Sequence, residues 1–103
     1  SGPNSVRQEE TTPSPFVLQQ NYPNPFNPGT HFQFVIPPGN ARVHSQLTIH
    51  DLLGQELATL VNEELAPGNY SFQWNGSRFA SGVYIYTLRA GGFAESKRMV
   101  LMK

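Results

Sequence analysis

The sequence predicts an all-β fold, an antiparallel β-sandwich of about seven strands with Ig-like architecture. Three observations carry this reading. From Thr30 onward, short segments alternate apolar and polar residues at a period of two. Turn signals built on Gly, Pro and Asn separate those segments at intervals of roughly 8–12 residues. Aromatic residues make up 12% of the chain and charged residues only 14%, against about 25% charged in an average soluble domain. That balance suits strands lined by aromatic and β-branched side chains.

At 103 residues the chain has the length of one domain. Residues 1–15 are polar, with Glu9-Glu10 and the run Thr11-Thr12-Pro13-Ser14-Pro15, and are expected to form a disordered linker. Ser1-Gly2-Pro3 reads as a cloning remnant. The folded domain is expected over residues 16–103. It opens with the apolar run Phe16-Val17-Leu18. Next comes Asn21-Tyr22-Pro23-Asn24-Pro25-Phe26-Asn27-Pro28-Gly29, whose three prolines forbid regular helix and hold the preceding residues extended. Tyr22 and Phe26 are expected to anchor this segment in the core, and Asn24 and Asn27 to bond nearby backbone groups.

Six strand signals follow. In Thr30–Ile36, Phe32, Phe34 and Ile36 share one face. Pro37-Pro38-Gly39-Asn40 ends that strand. In Val43–His50, Val43, Leu47 and Ile49 share a face and Ser45 interrupts it, which predicts a bulge or a later start. Gln55–Val61 fits two periods: Leu57, Leu60 and Val61 suit a helix, whereas Leu57, Thr59 and Val61 suit a strand. Its shortness and its neighbours favour the strand. Asn62–Gly68 is expected as a loop closed by Pro67-Gly68. Asn69–Trp74 alternates Tyr70, Phe72 and Trp74 with polar residues, and Asn75-Gly76 turns the chain. Gly82–Ala90 and Phe93–Met102 make a hairpin around Gly91-Gly92. Met99 and Leu101 are expected inward, and Lys97 and Arg98 near an edge.

The composition excludes several function classes. Seven Lys+Arg balance seven Asp+Glu, so the net charge is +0 and no broad electrostatic footprint for nucleic acid exists. No segment is long and apolar enough to span a membrane. The absence of cysteine removes disulfides, zinc ribbons and a thiol nucleophile. His31, His44 and His50 lack the convergent partners of a metal site, and Asp51 with Glu63-Glu64 is too sparse for a calcium cage. Neither a carboxylate pair, a serine triad nor a phosphate-binding glycine loop can be assembled, so no catalytic residue, metal or cofactor is expected. Tyr70, Phe72, Trp74, Tyr84 and Tyr86 are either a sugar-stacking platform or a sandwich core, and strict alternation favours the core. Asn69-Tyr70-Ser71 and Asn75-Gly76-Ser77 match the glycosylation acceptor pattern, which is short enough to arise by chance.

The order of motifs is more specific than any one of them. Asn21-Tyr22-Pro23-Asn24-Pro25-Phe26-Asn27-Pro28 is followed by Leu52-Leu53-Gly54-Gln55-Glu56 and Pro67-Gly68-Asn69-Tyr70. Trp74-Asn75-Gly76, Ala80-Ser81-Gly82-Val83-Tyr84-Ile85-Tyr86 and Lys97-Arg98-Met99-Val100-Leu101-Met102-Lys103 complete the series. This series resembles the C-terminal sorting domain (type A) of the type IX secretion system of Bacteroidetes and related bacteria. It is also similar to the Ig-like domain of flagellar hook-capping proteins. The resemblance implies a non-catalytic secretion signal carried at the end of a secreted passenger. Its implied partners are translocon components of the outer membrane and a sortase-like cysteine peptidase that cuts in or near residues 1–15. Its implied destination is the medium or the cell surface, reached through the periplasm, with the passenger released or attached. Gly82, Val83 and Tyr84 match the family's Gly-x-Tyr element. Lys97, Arg98, Met99, Val100, Leu101 and Lys103 match its terminal basic-hydrophobic strand, and this set is the expected recognition site. Arg98-Met99 stands where a Lys followed by an aliphatic residue is common, which keeps charge and apolarity. Two other readings stand beside it: an accessory module that binds carbohydrate or attaches a secreted hydrolase to the cell, and a structural Ig-like assembly domain.

Overall fold

The computed structural model describes residues 16–39 and 42–103, so the linker expected over residues 1–15 lies outside the described residues. Seven strands occur: β1 (Val17–Leu18), β2 (Gly29–Ile36), β3 (Val43–His50), β4 (Glu56–Leu65), β5 (Gly68–Asn75), β6 (Gly82–Ala90) and β7 (Phe93–Leu101). They form two antiparallel sheets, one in the order β1-β2-β5 and the other in the order β4-β3-β6-β7. This is the all-β, Ig-like sandwich that the alternation predicts.

Period-two patterning explains the layering. Phe32, Phe34 and Ile36 of β2 meet Leu47 and Ile49 of β3, Tyr86 and Leu88 of β6, and Met99 and Leu101 of β7 in one buried cluster. Each side chain removed from water there contributes on the order of 1.5–3 kcal/mol. Aromatic contacts bridge the layers: Phe32 lies 4.7 Å from Tyr86, centroid to centroid.

β4 departs from expectation in a way that explains its mixed periodicity. Its pairing with β3 slips twice, between Leu47 and Thr48 and between Ile49 and His50. Leu60 and Leu57 are the residues left without a partner, so they take positions that imitate a helical spacing. The strand also runs on to Leu65, so most of the expected loop over Asn62–Gly68 is strand, and only Ala66 and Pro67 separate β4 from β5. Ser45 causes no bulge in β3. It keeps its place on the core face, fully buried, because its hydroxyl donates to the Val43 carbonyl at 3.1 Å and so leaves no unpaired polar group inside. β7 closes at Leu101, one residue earlier than expected.

The Asn-Pro segment over residues 21–28 crosses from one sheet to the other. Tyr22 exchanges backbone bonds with His31 beside β2 (3.1 and 2.8 Å). Phe26 pairs with Leu101 as a parallel bridge beside β7. Phe26 is the core anchor expected of it, 1% exposed. Tyr22 is not, being 77% exposed, because pairing with His31 puts its side chain on the outer face of the three-stranded sheet. Asn21, which the sequence did not single out, is the buried polar hub of the segment: its amide nitrogen donates to Thr30 Oγ1 and the Pro23 carbonyl.

Candidate recognition site at the C-terminal strand

The β6–β7 hairpin brings the two halves of the expected site into register. Gly82 pairs with Leu101, Val83 with Val100 and Tyr84 with Met99, while Ile85 faces Arg98 and Tyr86 faces Lys97. Residues 11 to 19 apart in sequence thus form one patch two strands wide. Alternation then divides the patch. Tyr84, Met99 and Leu101 point inward and are buried. Arg98 and Lys103 are exposed, and Gly82, Val83, Lys97 and Val100 are half-buried. Buried members hold the hairpin on the core; only the others are open to a partner.

Tyr84 has an identifiable structural task. Its hydroxyl donates to the carbonyl of Ala80, four residues upstream, at 2.6 Å. That is the tyrosine corner of Ig-like sandwiches, which fixes the chain as it enters this strand. Tyr70 repeats the pattern with Ala66 at 2.5 Å. Gly82 has a backbone that any residue adopts, and a Cβ there would meet nothing within 4 Å. Neither space nor backbone conformation of the folded domain therefore requires glycine at this position.

Lys97 lies on the edge strand β7, as expected. It shares the inner side of the sheet with Glu95 at the sandwich margin, and the two charges lie 3.5 Å apart. Beside it, Tyr86 is fully buried; its hydroxyl donates to the Gln19 carbonyl and accepts from the Asn21 amide, both at 2.7 Å. Burial pushes the Tyr86 phenol up to about 12, with the Asn21 hydrogen bond working against that rise and the Glu95 charge adding to it.

β7 ends its sheet, but the last part of its edge is occupied. Asn24 Oδ1 accepts from the Val100 N–H at 2.9 Å. Phe26 N–H donates to the Val100 carbonyl and the Phe26 carbonyl accepts from Met102 N–H, each at 2.9 Å. Gln20 Nε2 donates to the Arg98 carbonyl at 2.7 Å. Lys103 is tied down as well: its N–H donates to Ser81 Oγ at 3.0 Å and its ammonium to the Ser77 carbonyl at 2.6 Å. Asn24 was expected to bond nearby backbone; its partner is 76 residues away. The signal for this role lay in the Asn-Pro repeat, where a chain denied helix and ladder geometry must satisfy its polar groups through side chains.

A family model for the secretion system C-terminal sorting domain matches residues 20–102. The chain belongs to that family. No curated protein matches it. As a type IX sorting domain it serves as a sorting signal for the type IX machinery, in a family that is non-catalytic in general and whose cargo goes to the cell surface or the medium. The match covers every strand from β2 to β7 and the whole Asn-Pro segment. Two histidines of this sorting domain have side-chain partners: His44 faces Glu64 at 3.4 Å, and His50 shares a hydrogen bond with Thr48 at 2.9 Å. Trp74 of the supposed sugar platform packs on Phe26, Phe32 and Phe79. Tyr86 is closed off in the core and Tyr84 nearly so. The rings form no exposed planar strip.

Proposed function

We propose that this sorting domain directs a passenger, joined on its N-terminal side, across the outer membrane through the type IX translocon, and that the translocon reads the β6–β7 end. The family match over residues 20–102 carries the reading. Within the patch, Gly82, Val83, Arg98, Val100 and Lys103 supply the contact surface, with Lys97 at its margin. Tyr84, Met99 and Leu101 act by holding that surface in shape. A sortase-like cysteine peptidase then cuts in or near residues 1–15, and the passenger is released or attached at the surface.

Gly82→Ala tests the reading, because the folded domain has room for the added methyl group. The variant, fused to a reporter in a bacterium with a working type IX system, should fold with unchanged urea stability yet export poorly, with reporter held in the periplasm. Arg98→Ala with Lys103→Ala should behave alike. Normal surface delivery by all these variants, or by a reporter without the domain, would overturn the proposal.

A further inference from the structure

A sheet edge exposes unpaired backbone groups, and natural proteins blunt it by shortening, bulging, charging or covering it. Three of the four edges here are managed in these ways. β1 is two residues long. β4 carries two register slips and the exposed Glu56, Glu63 and Glu64. β7 is covered at its end by Gln20, Asn24 and Phe26, and bears Lys97 and Arg98 next to that cover.

β5 has none of these devices. It is eight residues long, contains no proline and no charged residue, and pairs with β2 in unbroken register from Asn75 to Gly68. The absence of charge extends across its sheet: every Asp, Glu, Lys and Arg among the described residues lies on the other sheet or outside the strands. The direction of its backbone follows from β2. His31 exchanges both its bonds with Tyr22, and Gln33 accepts from Gln19, so their neighbours Thr30, Phe32 and Phe34 bond to β5. Their partners Trp74, Phe72 and Tyr70 turn inward to β2. Asn69, Ser71, Gln73 and Asn75 therefore turn their N–H and C=O groups outward, with no strand beyond them among the described residues.

We propose that β5 pairs with β5 of a second copy of this chain, antiparallel about a twofold axis at Phe72, to make one six-stranded sheet. In that register Ser71 lies opposite Gln73 and Asn69 opposite Asn75, and by symmetry the reverse. Each such pair exchanges two N–H···O bonds. Every outward residue is used, whereas a shift to the next in-phase register in either direction leaves Asn69 or Asn75 unpaired. No like charges oppose each other, since the strand has none. The second copy also brings the complement that the inner side lacks. Tyr70, Phe72 and Trp74 are half-buried at the sandwich margin, and the twofold sets the partner's Trp74, Phe72 and Tyr70 beside them. A partner with this strand chemistry is given by the chain itself, and an isologous contact of this kind closes at two subunits.

The test uses the whole chain, which has no native cysteine to interfere. Sedimentation across a broad concentration series should show the 11.5 kDa species giving way to one of twice that mass. Amide exchange at Asn69, Ser71, Gln73 and Asn75 should slow with concentration, while Tyr70 and Phe72 stay unchanged. A mixture of Ser71→Cys and Gln73→Cys chains should form a disulfide-linked pair on mild oxidation faster than either chain alone. The double variant Ser71→Lys, Gln73→Lys should keep its circular dichroism and lose the heavier species. A wild-type chain that stays monomeric throughout overturns the proposal. So does a dimer indifferent to the two lysines, or one whose protected amides lie on another strand.

Discussion

Tyr86→Phe removes one oxygen atom from the interior and tests how the Asn-Pro segment is held. The ring stays in place against Phe32, so almost no apolar burial is lost. Both hydrogen bonds of the hydroxyl disappear. The Asn21 N–H is left buried without a partner, which costs about 1–3 kcal/mol, and the bond to the exposed Gln19 carbonyl adds about 0.5–1.5 kcal/mol. The expected loss is therefore about 2–4 kcal/mol, a large share of the roughly 5–15 kcal/mol that holds a domain folded. Urea unfolding followed by Trp74 fluorescence measures it. The same residue predicts an alkaline signature. An unfolded tyrosine ionises near about pH 10, and the folded phenol is pushed up to about 12. Between these values the folded state keeps a proton that the unfolded state has released. Stability is thus fully present below pH ~10 and falls as pH rises toward ~12, by roughly 2 kcal/mol. Tyr86→Phe should lack that fall when compared directly with wild type. A loss at neutral pH below about 0.5 kcal/mol, the range of an ordinary surface change, would refute the reasoning, as would an unchanged alkaline fall in the variant.

Three further outcomes follow from the same contacts. Leu101→Ala opens a cavity at a fully buried position and should cost about 2–5 kcal/mol in urea or thermal unfolding. Gly76→Ala would bring a Cβ to 3.1 Å from the Trp74 ring and 3.3 Å from Leu101; overpacking of about 1–3 kcal/mol should appear together with a shifted Trp74 emission. Asn24→Ala frees the Val100 N–H; it should cost about 1 kcal/mol and speed hydrogen exchange selectively at Val100.

The layering was legible because it rests on a local rule. Alternation in Thr30–Ile36 and Gly82–Ala90 forces one face inward whatever the partner strand is. Tyr22 and Phe26 show where local reading stops. Both are aromatic and each adjoins a proline, yet one is exposed and one buried. The difference is set by which strand each lies beside, and no nearby residue encodes that. Leu57 and Leu60 gave Gln55–Val61 a second, helix-like period beside the strand reading that held, because a bulge adds a residue without a composition signal of its own. The residues proposed for recognition were chosen on a family pattern. Part of their division was legible as well, since alternation set Met99 and Leu101 inward; which residues lie across from them on β6 was not, because it depends on cross-strand register.

The ties from Asn24 and Phe26 to Val100 and Met102 join parts of the chain made at opposite ends of the domain's synthesis. A ribosome must have delivered Val100 before the first of those ties can close. Closing so long a loop is slow relative to local pairing, so a polypeptide interrupted upstream never acquires the finished shape. The fold thereby registers completeness: a broken-off product lacks the ties that close the end of β7.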